Sequence, residues 1–172
     1  MTIEHLIRAI PDYPKPGIMF RDITPLLADA DGFRQTIDKL AERYHDQNLT
    51  QIVGIEARGF IFATALAYKL GVGFVPLRKP GKLPNPTYRQ SYQLEYGEDS
   101  LEIHRDALGR DDRVIIVDDL LATGGTVIAA VDLVRQTEAT VIECAFIVQL
   151  DDLSGVQRLA DAKIPSYTLC RF

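Results

Sequence analysis

The chain has 172 residues, 19 Lys and Arg against 24 Asp and Glu, a net charge of −5, and 47% hydrophobic residues. That length suits one domain with a core that needs no disulfide or metal staples. The negative balance excludes a general nucleic-acid coat, which needs a basic face to displace counterions, but leaves room for an anionic ligand held by local cations and helix N-termini. No stretch approaches the roughly 18 uncharged apolar residues of a membrane span. The first ten residues carry Glu4, His5 and Arg8 where a signal peptide would be apolar, so a soluble cytoplasmic protein with no membrane partner is expected. Cys144 and Cys170 stand in apolar surroundings and read as buried thiols of a reducing compartment rather than a disulfide.

In chain order, Ile3, Leu6, Ile7 and Ile10 fall at i, i+3, i+4 and i+7 and predict an amphipathic helix. Residues 11–27 contain Pro11, Pro14, Pro16 and Pro25, too many for a helix or a central strand, and predict an irregular rigid flap. Residues 1–27 are thus expected to form an N-terminal hood. Phe33, Ile37, Leu40 and Tyr44 mark the first long helix. Gln51–Ile55 and residues 73–78, 113–118 and 141–150 are apolar, β-branched runs expected to be strands covered on both faces, with 166–170 a weaker fifth. Residues 59–70 are apolar nearly all round and predict a buried helix ended by Gly71. Val127, Val131 and Val134 make a further helical stripe, and Leu153, Val156, Leu159 and Ala160 another.

Residues 79–105 break this rhythm. Pro80, Pro84 and Pro86 impose an extended loop. Tyr92, Leu94 and Tyr96 then alternate with Gln93 and Glu95, a turn is expected over 97–100, and Leu101 and Ile103 alternate again: a hairpin, expected to act as a lid. The whole reads as a single α/β domain over residues 1–172, an open, mainly parallel twisted sheet flanked by helices, with a small N-terminal hood and a hairpin lid.

The chemistry concentrates in residues 113–126, RVIIVDDLLATGGT. A buried strand ends at Asp118 and Asp119, and Ala122, Thr123, Gly124, Gly125 and Thr126 open a helix. Ligands of open α/β sheets sit at the carboxyl ends of strands. The glycines let backbone N–H groups turn inward, the threonines add hydroxyls, and the helix N-terminus adds about half a positive charge. That is a site for a phosphate monoester. The two aspartates just upstream suit a sugar diol or water on a metal, so the pair of features describes a ribose 5-phosphate. There is no GxxxxGK[ST] loop, and the Gly71 and Gly73 pair does not complete a dinucleotide fingerprint.

This segment resembles the 5-phosphoribosyl 1-pyrophosphate motif of the type I phosphoribosyltransferases. Residues 14–23 (PKPGIMFRDI), 56–60 (EARGF), 78–84 (RKPGKLP) and 94–97 (LEYG) are similar, in family order, to the adenine-specific members. The resemblance implies the type I phosphoribosyltransferase fold and transfer of a phosphoribosyl group from the sugar diphosphate to adenine, giving AMP and pyrophosphate. It implies that Ala122, Thr123, Gly124, Gly125 and Thr126 hold the 5′-phosphate and that Asp118 and Asp119 hold the ribose hydroxyls. Glu56, Ala57, Arg58 and Gly59 would form the pyrophosphate loop, where Glu56 and Ala57 replace the Asp-Ser of some relatives. Arg78, Lys79 and Lys82 would clamp the leaving group, one or more across a homodimer interface. Glu95 would handle the proton with Tyr96 beside it, and Arg58 would join the catalytic set. Adenine would lie between Phe20 and Leu120, its amino edge read near Phe20 and Arg21. Magnesium would arrive on the pyrophosphate, since His5, His45 and His104 lack ligand spacing. A transferase for another purine such as xanthine, or a non-catalytic regulator with the same cradle, would share this motif. A DNA-binding regulator would need a helix-turn-helix and a basic face, and neither is visible.

Overall fold

The computed structural model describes residues 2–94 and 96–172. Two compact units divide the chain, residues 1–43 and 44–172.

In the first unit a single 3₁₀ turn, Ile3–Leu6, replaces the predicted amphipathic helix, and the chain then extends as β1 (Arg8–Ile10). Pro11 follows at once, and a residue before proline is biased toward extended backbone, so Ile10 cannot continue a helix. β1 pairs antiparallel with β2 (Phe20–Asp22), in register Arg8 opposite Asp22 and Ile10 opposite Phe20. The proline-rich flap is thus the connection of a small hairpin, with Tyr13 and Phe20 in edge-to-face contact at 5.1 Å. It also yields a short helix, α1 (Thr24–Ala28), because Pro25 stands in the first turn, where its missing N–H has no partner to lose. α2 (Ala30–Tyr44) follows, with buried positions recurring at helical spacing through Ile37, Leu40 and Ala41.

The second unit is built on a five-stranded, all-parallel sheet. Its strands are β3 (Gln51–Ile55), β4 (Gly73–Leu77), β7 (Arg113–Leu121), β8 (Thr140–Gln149) and β9 (Ser166–Arg171), in spatial order β4-β3-β7-β8-β9. β3 is buried from Ile52 to Ile55 and β7 from Val114 to Val117, as near-continuous apolar runs require when both faces are covered. α3 (Arg58–Leu70) packs on β3, β4 and β7; α4 (Gly125–Arg135) packs on β7 and β8; α5 is the short helix Gly155–Asp161. Of the four apolar residues predicted for this last helix only Leu159 is buried, and Leu153 precedes the helix. Neither Cys144 nor Cys170 is in a disulfide, and both are buried. Burial first, then the Glu143 charge, pushes the Cys144 thiol up to about 12, so it is no nucleophile.

The predicted hairpin is present as β5 (Thr87–Gln93) and β6 (Glu98–His104), but its turn comes earlier than the alternation suggests. Gln93 pairs with Glu98 and the Leu94 N–H donates to the Gly97 carbonyl at 2.9 Å, so Leu94 and Tyr96 are turn residues, exposed to solvent, and not strand residues. The root of the hairpin lies over α4, and Leu101 and Ile103 belong to the same core as Val53, Val114 and Val131. Fully burying each such side chain is worth about 1.5–3 kcal/mol, so this root is part of the fold and only the tip stands clear. Among the described residues no helix is long and apolar enough to cross a membrane.

Candidate active site

Strand order places the site. From β3 the chain passes to β4 on one side and later to β7 on the other, so the crevice at the carboxyl ends of β3 and β7 is a topological switch point. A cavity of about 410 Å³ opens there, lined by Glu56, Ala57 and Arg58 after β3 and by Asp118, Asp119, Leu120, Ala122, Thr123, Gly124 and Thr126 from β7 and the loop after it. Its remaining wall includes Ile55, Lys79, Tyr92, Leu101, Leu121 and Val127.

Two helix N-termini converge on this cavity. After β7 the chain turns at Gly124, with φ +86°, and α4 begins at Gly125. Only glycine takes that left-handed conformation readily, and a Cβ there would lie 3.2 Å from the Gly155 Cα. The N–H groups of the first helical turn have no carbonyl one turn earlier, which leaves them available to an anion. The loop is buttressed from α5: the Gly155 N–H donates to the Ala122 carbonyl at 2.9 Å and Arg158 Nη1 to the Thr123 carbonyl at 2.8 Å. Arg158 was not legible as a site residue, because it stands 35 positions downstream of its partner in a helix of ordinary composition. Opposite, the Glu56–Ala57 peptide is cis and α3 begins at Arg58. Gly59 holds this second loop close to β7, since a Cβ there would come within 2.9 Å of both Asp118 Oδ1 and the Val117 carbonyl.

The two aspartates lie inside β7, not just past its end as the apolar run suggests. Pairing with β8 continues through Leu120 opposite Val148 and Leu121 opposite Gln149, which carries the strand over both acids. The Asp119 side chain is only 9% exposed and accepts from Arg58 Nε at 2.5 Å, a pair that ties the start of α3 to β7. The Asp119 N–H donates to Asp118 Oδ1 at 2.9 Å. Burial pushes the Asp118 carboxyl well above the usual carboxylate range, and the Asp119 charge beside it adds to the effect.

The cations divide. Lys79 lines the cavity; its Nζ donates to the Tyr92 hydroxyl at 2.7 Å and pairs with Asp99, while its N–H donates to Glu56 Oε1 at 2.6 Å. Arg78 stands behind the wall, with a buried Nε that has no hydrogen-bond partner, 3.4 Å from Glu56 Oε1. Lys82 is exposed on the loop and is not among the lining residues. Gly125 opens α4 just behind the lining. Phe20 and Arg21 form part of β2 in the first unit, and Tyr96 is 83% exposed at the hairpin tip. Glu95 lies outside the described residues. Among the described residues no three His, Cys, Asp or Glu side chains gather as a metal centre.

A carboxyl whose pKa rises on folding holds its proton more tightly in the folded chain, so the fold loses stability as pH climbs from the usual carboxylate range through the raised value. Asp118→Asn removes that loss. The variant is expected to melt above the parent at about pH 8, with the gap closing toward about pH 4, where both side chains are neutral; thermal midpoints across that range check it, and a gap independent of pH contradicts it.

The phosphoribosyl transferase domain family matches residues 27–165. The chain is 58% identical to the adenine phosphoribosyltransferase of Idiomarina loihiensis over 99% of its own length and 96% of that protein's. Its fold superposes on the crystal structure of adenine phosphoribosyltransferase from Thermoanaerobacter pseudethanolicus with a TM-score of 0.93 at 49% identity, covering 99% and 98% of the two chains. The Saccharomyces cerevisiae adenine phosphoribosyltransferase, crystallised with an imino-altritol bisphosphate and adenine, gives 0.90 at 40% identity over 97% and 96%. With two helix N-termini and a pair of acids brought to one cavity, and with whole-length identity at this level, the chain belongs to the phosphoribosyltransferase family, among its adenine phosphoribosyltransferases.

Proposed function

We propose that the cavity binds 5-phosphoribosyl 1-pyrophosphate and transfers its phosphoribosyl group to adenine, releasing AMP and pyrophosphate. The observation that carries this reading is the facing pair of helix N-termini, Arg58 and Gly125, with Asp118 and Asp119 between them on one cavity wall. A molecule with a phosphate at each end and a diol between them matches that order of groups. The yeast relative's complex with a bisphosphate and adenine supports it.

On this reading the amides and hydroxyls of Ala122, Thr123, Gly124, Gly125 and Thr126 hold the 5′-phosphate, and Arg158 holds the loop from behind by its bond to the Thr123 carbonyl. Asp118 and Asp119 accept from the ribose hydroxyls, with Arg58 fixing Asp119. Glu56 keeps its carboxylate for the Lys79 amide, so the pyrophosphate meets the backbone of Ala57, Arg58 and Gly59 and the Lys79 ammonium. As the C1–O bond to pyrophosphate breaks, negative charge grows where these donors lie, and pre-placed donors stabilise it without reorganising. The C1–N9 bond to adenine then forms, and the N9 proton passes to the Glu95 carboxylate, with Tyr96 beside it. Leu120, on the cavity wall, lies against the base. Arg78 steadies Glu56, and one or more of Arg78, Lys79 and Lys82 reach across a homodimer interface. The donor set fits a magnesium ion carried by the substrate: Mg²⁺ keeps several waters and takes one or two carboxylates plus phosphate oxygens, and Asp118 and Asp119 are the carboxylates on this wall. When bound, the ion neutralises charge on the pyrophosphate. Two buried cysteines outside any disulfide suit a reducing cytoplasm.

Turnover of adenine, hypoxanthine, guanine and xanthine with the sugar diphosphate and magnesium tests the reading. Adenine is the expected substrate, because a 6-oxo purine puts an acceptor where the site expects a donor; preference for any 6-oxo purine overturns it. Gly124→Val forces a β-branched residue into positive φ against Gly155 and should weaken AMP binding by about 100-fold or more with the circular dichroism spectrum unchanged; parental affinity by calorimetry refutes the cradle. Glu95→Gln should lower kcat roughly 10²–10⁴-fold with a smaller effect on KM, and near-parental turnover under chemistry-limited conditions rejects the proton role.

A further inference from the structure

Lys79 is the one ammonium on the wall of the cavity among the described residues, and it is already engaged. An ammonium has three N–H donors. One reaches the Tyr92 hydroxyl, at 2.7 Å, and another the Asp99 carboxylate. Tyr92 and Asp99 face each other across the β5–β6 pair, so both partners come from the same rung of the hairpin, and the Tyr92 hydroxyl also donates to Asp99 Oδ2 at 3.3 Å. The second Asp99 oxygen accepts from the Ser100 N–H at 2.8 Å, which fixes the carboxylate in place. Side chains of Lys79 and Asp99 are each about one-third exposed, at 37% and 32%, so the pair sits at the edge of water, where exchange of partners is not blocked by burial. Burial alone would lower the Lys79 pKa, but its bonds to Asp99 and Tyr92 outweigh that and raise it, while the Lys79 bond lowers that of Asp99.

We propose that Asp99 is a positioning residue that shares the Lys79 ammonium with the pyrophosphate group, competing for it and thereby weakening the hold of the cavity on pyrophosphate. This rests on the reading that Lys79 meets the diphosphate. Two negative groups draw on one cation: each phosphate oxygen that bonds Nζ does so against Asp99, and the Asp99 charge also repels the anion directly. The 5′-phosphate cradle around Gly124 takes its donors from the amides and hydroxyls of residues 122–126 and none from Lys79 or Asp99, so the effect falls on one end of the substrate only. For a reaction that must release pyrophosphate, a loosened grip on the leaving group favours departure of the product over its retention.

Calorimetry with the full chain, using magnesium pyrophosphate and, separately, AMP, tests this. Asp99→Asn should bind pyrophosphate about fivefold more tightly, with AMP affinity within twofold of the parent. Lys79→Met should weaken pyrophosphate binding, and in the Lys79→Met/Asp99→Asn double variant most of the gain from Asp99→Asn should vanish, because the two residues act as a unit. Unchanged or weaker pyrophosphate binding by Asp99→Asn overturns the proposal, as does an equal change in AMP affinity, which marks a general loosening of the hairpin. Lys79→Met without effect on pyrophosphate overturns the assignment of Lys79 to the leaving group, a separate failure that takes this proposal with it.

Discussion

Everything in the cavity depends on main-chain N–H groups at the starts of α3 and α4 being brought to face one another, which only the reversal of strand order between β3 and β7 achieves. Each strand delivers its helix at the same edge of the sheet, so two partial positive charges meet without any lysine or arginine being spent on them. A chain with net charge −5 can therefore grip a polyanion. The price of the arrangement is crowding: Gly59 lies against Asp118, Gly124 against Gly155, and Gly155 against the Ala122 carbonyl, so the three loops lock one another in place.

Periodicity and motif chemistry made most of the sheet legible. β3 runs over the same five residues that its apolar pattern marks, because a strand covered on both faces has no polar face to blur its ends. The TGGT segment was legible for a different reason: a glycine needed at positive φ directly before a helix leaves few other readings. The N-terminus misled, since Ile3, Leu6, Ile7 and Ile10 satisfy helical spacing, yet Pro11 pulls the end of that stretch into a strand. Hairpin register misled too, because alternation of Tyr and Leu with polar residues runs on past Gln93 while hydrogen bonding turns the chain at Leu94 to Gly97.

Pairwise contacts in the site were the part that no one-dimensional pattern carries. Arg58 with Asp119 spans 61 positions, Lys79 with Asp99 spans 20, and Arg158 with Thr123 spans 35. In the last two pairs one partner belongs to a recognisable segment and the other to an ordinary one; in the first both segments are recognisable but nothing in the sequence joins them. Asp99 falls within the turn expected over 97–100; only the fold reveals that it belongs to a strand and faces a lysine of the cavity wall. Asp118 shows the same limit from the energetic side, since its position in β7, between a buried strand and a second acid, decides its proton affinity.

The hairpin has two mechanical regimes in one element. Leu101 and Ile103 weld its base into the hydrophobic interior, whereas the segment joining its strands projects without such support. Truncating Leu94 or Tyr96 would therefore cost the fold little, whereas truncating Leu101 or Ile103 would open a void in the interior.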